Sequence, residues 1–208
     1  MSALSKSWHQ SRYKRSKNLI LFAKLTKAIL NYSDKILSAK KITLTLIILF
    51  FMSISNAQPL QTVSNVDLNK YSGKWYEIAS FPQRFQKGCK CTTAEYTLNQ
   101  KGFITVENRC RKGSVEGKES YIKGKAFVEK GSNNAKLKVQ FFWPFKGKYW
   151  IIELANDYSY SVVSHPNKKY LWILSRSPKM NPLLYLEIIS RLKSVGLQTE
   201  RLILTQQI

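Results

Sequence analysis

The sequence predicts an all-β chain: an eight-stranded up-and-down antiparallel β-barrel with one C-terminal α-helix packed outside it. Three observations carry this expectation. From Pro59 onward, apolar and polar residues alternate with a period of two in eight short segments. The links between them are short and polar, the composition of hairpin turns. A single later stretch changes to a helical period and then stops.

The first segment, 74–81, lies in "GKWYEIASF" and places Trp75 almost at its start. In the second, Ala94, Tyr96 and Leu98 alternate with Thr93, Glu95 and Thr97. Asn99-Gln100-Lys101-Gly102 is hairpin punctuation, after which Ile104, Val106 and Asn108 alternate with Thr105, Glu107 and Arg109. Further segments read at 120–128, 136–142, 148–155, 159–164 and 170–176, with Lys130-Gly131-Ser132-Asn133-Asn134 among their links. A sheet of eight sequential strands tends to close on itself, which removes its exposed edges. Asn181-Pro182 then reads as a helix cap with proline in the first turn. Leu183, Leu186, Ile189, Leu192 and Val195 recur at steps of three, and Gly196 ends the helix. Leu202-Ile203-Leu204 reads as a last short strand.

The chain has 208 residues and a formal charge of +22. Residues 1–57 hold ten Lys/Arg against one Asp, a net of +9, and the remainder carries +13. Basic charge spread in this way fits solubility and weak attraction to anionic surfaces better than nucleic-acid reading. Within "KKITLTLIILFFMSISNAQ", Lys40 and Lys41 are a basic entry, Ile42 to Ile54 an apolar run, and Ser55-Asn56-Ala57 a cleavage site. The run is shorter than the roughly 20 residues a spanning helix needs. Residues 1–57 are therefore expected to be a basic leader and secretory signal, cleaved after Ala57, with a retained membrane anchor as the alternative. No cysteine adjoins that site to receive a lipid. Export places Cys89, Cys91 and Cys110 where oxidation is permitted, so one bridge and one spare thiol are expected. Zinc is the alternative for this spacing, but no nearby histidine completes it. Register leaves the pairing open. An even pairing sum between the second and third segments sets Cys110 against Thr92 or Lys90, and a bulge near Gly88 brings either Cys89 or Cys91 into reach.

These residues resemble the lipocalins, especially the group of bacterial outer-membrane lipocalins and apolipoprotein D. "GKWYEIASF" is similar to the family's opening Gly-x-Trp signature, and "KYLWILSRSP", 169–178, to its third, with Arg176 lying across Trp75. "ANDYSYSVV", 155–163, keeps Asp157-Tyr158 of the second signature but lacks the usual preceding Thr. "KVQFFWPFKGKYWII" is similar to the bacterial group. The resemblance spans residues 66–208 and implies a lipocalin domain over 58–208. It also implies Cys89–Cys110 as the bridge, with Cys91 spare, and a barrel that is hollow rather than filled. Gly73, Trp75 and Arg176 are then expected to close one end structurally, the guanidinium gaining cation–π attraction over the indole.

Parity names the lining. If Arg176 points inward, Leu174 and Trp172 share its face, as do Ala94, Tyr96, Leu98, Ile104, Val106, Asn108, Leu137, Val139 and Phe141. The candidate ligand-binding residues are Tyr96, Val106, Asn108, Val139, Phe141, Tyr170 and Trp172. Arg84, Lys87, Lys90, Lys146, Lys148, Lys168 and Lys169 are expected near the open end. "FFWPF", 141–145, is expected there too, touching ligand or membrane or packing inward. The leading expectation is non-catalytic carriage or storage of fatty acids, lysophospholipids or similar amphiphiles, needing no cofactor and no metal. Location is expected in the periplasm, at the outer membrane or outside the cell. Contact with an anionic membrane surface, no nucleic-acid partner, and a monomer or weak dimer complete the expectation. Two alternatives remain: a lipocalin-type enzyme acting on a lipophilic substrate, or a receptor or adhesion module. The enzyme has little to work with, since His165 stands in a turn and nothing pairs Glu77 with Glu153.

Overall fold

In the computed structural model, residues 59–208 are described, together with Lys27 and Asn31, both helical and exposed. The chain divides into two units at residues 56 and 57, and the barrel belongs to the second. The leader, the apolar run and the cleavage site lie outside the described residues.

Eight antiparallel strands run in chain order: β1 (Gly73–Ser80), β2 (Cys89–Leu98), β3 (Ile104–Lys112), β4 (Glu119–Val128), β5 (Lys136–Phe142), β6 (Phe145–Leu154), β7 (Tyr160–Ser164) and β8 (Leu171–Ser175). Each pairs with its neighbour in sequence, and β1 pairs with both β8 and β2, so the sheet closes. A two-residue β9 (Ile203–Leu204) is added outside β1 at Ala79 and Ser80. Up-and-down order gathers the β1–β2, β3–β4, β5–β6 and β7–β8 links at one end of the barrel. The expected strands are all present, with ends shifted by a few residues; β6, for example, begins three residues earlier.

Every second residue of a strand turns inward because side chains on a pleated strand change face at every step. The interior cluster joins Trp75, Tyr96, Ile104, Val106, Leu137, Ile151 and Leu174. Leu98, assigned inward by the same alternation, sits beside the hairpin turn and is 40 % exposed. Gly124 faces Val106 across the ladder. A Cβ there would stand 2.7 Å from the Phe141 ring, so only glycine leaves room for that ring.

The outer cluster sets Ile188 and Leu192 of α2 (Pro182–Ser194) against Ile78, Phe81, Val162, Leu171 and Ile173. Asn181 caps α2 by accepting from the amides of Leu183 and Leu184. Of the positions read at steps of three, Leu192 is buried and Ile189 packs on the outer cluster, whereas Leu183 and Leu186 are exposed; Leu184 and Ile188 complete the face toward the barrel. At 3.6 residues per turn, strict steps of three drift around the helix, and steps of four hold the face. Arg191 donates to Glu153 at 3.1 Å and to the Tyr160 hydroxyl at 3.2 Å, tying the helix to β6 and β7.

A short α1 (Leu68–Tyr71), capped by Asp67, crosses the end opposite the clustered links and was not foreseen. The segment before it is pinned there by bonds from the Val66 amide to the Asn133 carbonyl and from Asn134 to the Val66 carbonyl.

Candidate functional site

The closed end is built around Trp75, whose indole is fully buried and donates to the Tyr71 carbonyl at 2.8 Å. The Arg176 guanidinium lies 3.8 Å over that ring. Its nitrogens donate to the carbonyls of Lys74 (2.8 Å), Lys70 (2.6 Å) and Ser72 (2.9 Å). Gly73 lies beneath it with φ of +88°, a left-handed conformation that other residues resist.

Above this end three phenols meet. The Tyr149 hydroxyl is 2.8 Å from that of Tyr71 and 2.9 Å from that of Tyr96, and Ser161 lies 3.2 Å from Tyr71. Burial pushes Tyr71 up to about 12 and also raises Tyr96 and Tyr149, so all three remain neutral phenols well beyond physiological pH.

From here a cavity of about 550 Å³ reaches the opposite, open end. Its wall carries Tyr96, Val106, Asn108, Val139, Phe141, Tyr170 and Trp172, the candidate ligand-binding residues. Tyr170 and Trp172 stack with their rings 6.1 Å apart. Ala94, Ile122 and Leu174 add further apolar surface, and Glu77 adds a carboxylate that the sequence left without a role. Glu77 accepts from Ser80 (3.0 Å), Gln86 (2.7 Å) and Thr205 (2.6 Å). Gln86 in turn accepts from the Trp172 indole at 3.4 Å. Glu153, by contrast, faces α2 through its pair with Arg191.

The mouth is aromatic and basic. Trp143 is 87 % and Phe145 77 % exposed in the tight β5–β6 turn, so the "FFWPF" stretch projects outward at its tip while Phe141 packs inward. Phe85, Phe142, Lys146 and Lys148 also border the cavity. Lys168 stands in the β7–β8 link at this end, and its ammonium donates to the Val195 carbonyl at the end of α2. His165 borders the mouth in its turn, where its Nδ1 accepts from the Asn167 amide at 3.2 Å.

Cys89 and Cys110 form a disulfide with their Cα atoms 5.4 Å apart, leaving Cys91 as the spare thiol. The bulge lies at Cys91–Thr92, both opposite Cys110, rather than near Gly88. Cys91 takes a φ of +50° there. That irregularity lets Cys89 reach Cys110 diagonally.

A closed antiparallel barrel, plugged at one end and hollow toward the other, defines a β-barrel calyx with room for one small molecule. The chain belongs to the lipocalin family: residues 66–207 match the family model for the lipocalin-like domain. It is 41% identical over 151 residues to outer membrane lipoprotein Blc of Vibrio cholerae, covering 72% of this chain and 88% of that one. Temperature-induced lipocalin-1 of Arabidopsis thaliana is 35% identical, with 74% and 86% covered. Apolipoprotein D of Bos taurus is also 35% identical, with 69% and 78% covered. Among solved structures, insecticyanin of Manduca sexta aligns with a TM-score of 0.57 at 22% identity, covering 72% of this chain and 85% of that one. That likeness is one of fold. Lipocalins are in general binding proteins for small hydrophobic ligands rather than enzymes.

Proposed function

We propose that the protein is a non-catalytic carrier of single-chain amphiphiles, fatty acids and lysophospholipids among them, in the cell envelope. The observation that carries this reading is the apolar cavity of about 550 Å³ whose border includes Lys146 and Lys148 beside the aromatic side chains of Phe85, Phe142 and Phe145. The acyl tail enters the cavity, where burial stabilises it by about 0.8 kcal/mol per methylene. The anionic head stays at the rim near Lys146 and Lys148, an attraction that salt weakens. Gly73, Trp75 and Arg176 serve the closed end and do not touch the cargo. The Blc relatives, named as outer membrane lipoproteins, support an exported location in the periplasm or at the outer membrane. An enzyme acting on the same substrates would need an acid–base pair. Glu77 is engaged by neutral donors and Glu153 by Arg191, which favours carriage over catalysis.

A fluorescent fatty acid tests the reading. Residues 58–208 should take it up saturably, quench the tryptophan emission, and bind less tightly as salt rises. Absence of saturable uptake would overturn it.

A further inference from the structure

One side of the barrel's outer wall is built from lysines. Ala126, Leu137 and Tyr149 turn inward on β4, β5 and β6, so Lys125, Lys138, Lys146 and Lys148 stand on the outside, all four exposed. The register sets Lys138 directly opposite Lys148 and places Lys125 between Thr105 and Gln140. With strands about 4.8 Å apart and alternate residues about 7 Å apart, the four occupy a field roughly 10 Å by 7 Å. The ammonium groups of Lys125 and Lys146 lie 4.8 and 4.5 Å over the rings of Phe103 and Phe127, whose centroids are 6.3 Å apart.

This field has no counter-charge of its own. None of the four lysines enters an ion pair among the described residues. The carboxylates on the strands around it are engaged elsewhere: Glu107 with Lys123 and Arg109, Glu119 with Arg109, and Glu153 with Arg191. Like charges directly opposite each other across a sheet destabilise it. Neutral residues at positions 138 and 148 would spare the barrel that cost, and an anionic surface laid against the wall relieves it.

The adjoining turn restricts what that surface is. The field runs into the β5–β6 hairpin, where Phe142, Trp143 and Phe145 are exposed. A charged polysaccharide would engage the lysines and leave three aromatic rings in water. An anionic bilayer takes both, with its headgroups against the ammonium groups and the rings at the headgroup boundary.

We infer that the outer face of β4 to β6 is a docking surface for a bilayer rich in anionic headgroups, with the hairpin tip entering the interface. Phe142, Phe145, Lys146 and Lys148 also border the cavity, so docking by this face lays the edge of the mouth against the lipid. Lys125 and Lys138 belong to the outer face alone and do not line the cavity, so the docking is separable from the carrier reading.

Flotation of the protein with vesicles of phosphatidylcholine, and of phosphatidylcholine mixed with phosphatidylglycerol, tests it. Wild type should float with the mixed vesicles and not with the neutral ones. Lys125→Gln and Lys138→Gln should each weaken that binding about fivefold, and together ten- to thirtyfold, the effect of lysines held near an anionic surface. Lys179→Gln with Lys193→Gln removes the same net charge from exposed positions leading into and along α2, on the opposite side of the barrel. That pair should weaken binding less than about twofold. Equal losses from the two pairs would make the attraction one of diffuse net charge and overturn the inference. Equal flotation with neutral and mixed vesicles would overturn it too. Retention on immobilised heparin without flotation would make an anionic polymer the occupant and overturn the bilayer. Uptake of a fluorescent fatty acid without vesicles should be the same for Lys125→Gln/Lys138→Gln as for wild type; reduced uptake would place these lysines in the calyx and contradict a separate face. Wild type that docks yet takes up no fatty acid would defeat the carrier reading and leave the docking face standing.

Discussion

Tyr149 has one hydroxyl and two phenolic neighbours, and it links them through hydrogen bonds of 2.8 Å to Tyr71 and 2.9 Å to Tyr96. Tyr149→Phe strips Tyr96 of its side-chain partner and leaves Tyr71 with Ser161. The expected cost is about 1–3 kcal/mol, the range for orphaning a buried polar group. The same phenols give the stability a pH dependence whose sign is fixed. Unfolded tyrosines lose their protons near pH 10. Burial holds Tyr71 to about 12 and raises Tyr96 and Tyr149 as well, so the unfolded chain ionises first. Their contribution is complete below about pH 10 and is lost as pH climbs through the folded values. Denaturant midpoints taken at about pH 9 and about pH 11 should fall for the wild type, and fall less for Tyr149→Phe, which carries one buried phenol fewer. Equal slopes for the two proteins would remove the phenols from this role.

The β5–β6 hairpin behaves as a unit of another kind. Its turn holds Phe142, Trp143 and Phe145 in water, with Lys146 and Lys148 close behind. Aromatic rings beside cations are the composition of a segment that rests at a membrane–water boundary. The protein should co-sediment with vesicles containing anionic lipid more than with neutral ones. Trp143→Ser with Phe145→Ser should reduce that binding severalfold while leaving the circular dichroism unchanged. Undiminished binding would place the contact elsewhere. At this scale the sequence was legible wherever a period fixed the answer. Strand alternation located β2 to β5 and the inward faces of Tyr96, Val106 and Phe141, because a side chain changes face at every residue. Irregular elements escaped it. The bulge at Cys91–Thr92 requires a non-glycine residue at positive φ, and nothing in the local composition marks it. The helix start and stop were legible from Asn181, Pro182 and Gly196; steps of three found Ile189 and Leu192 on the packed face but put the exposed Leu183 and Leu186 with them and missed Leu184 and Ile188.

At the scale of the whole molecule, long-range contacts decide what local pattern cannot. α1 and the segment before it acquire their place at the closed end only through partners such as Tyr149 and Asn133, 78 and 67 residues away in the chain. Gln207 at the other terminus completes the wall near Glu77 and Thr92, so the two ends of the domain help shape one calyx. Whether such a barrel is filled or hollow is a matter of summed volumes, to which parity is blind. Ala94 and Gly147 border the cavity with little or no side chain, while the space beside Gly124 is taken by the Phe141 ring. Trp172 lines that space, and an arginine in its place would put charge into the apolar wall. Native mass spectrometry of the freshly extracted protein tests the hollow-carrier account most directly. It predicts one amphiphile per chain on the wild type, and loss of that adduct from a folded Trp172→Arg variant. Wild-type protein that carries no adduct and acquires none when incubated with a fatty acid would contradict it.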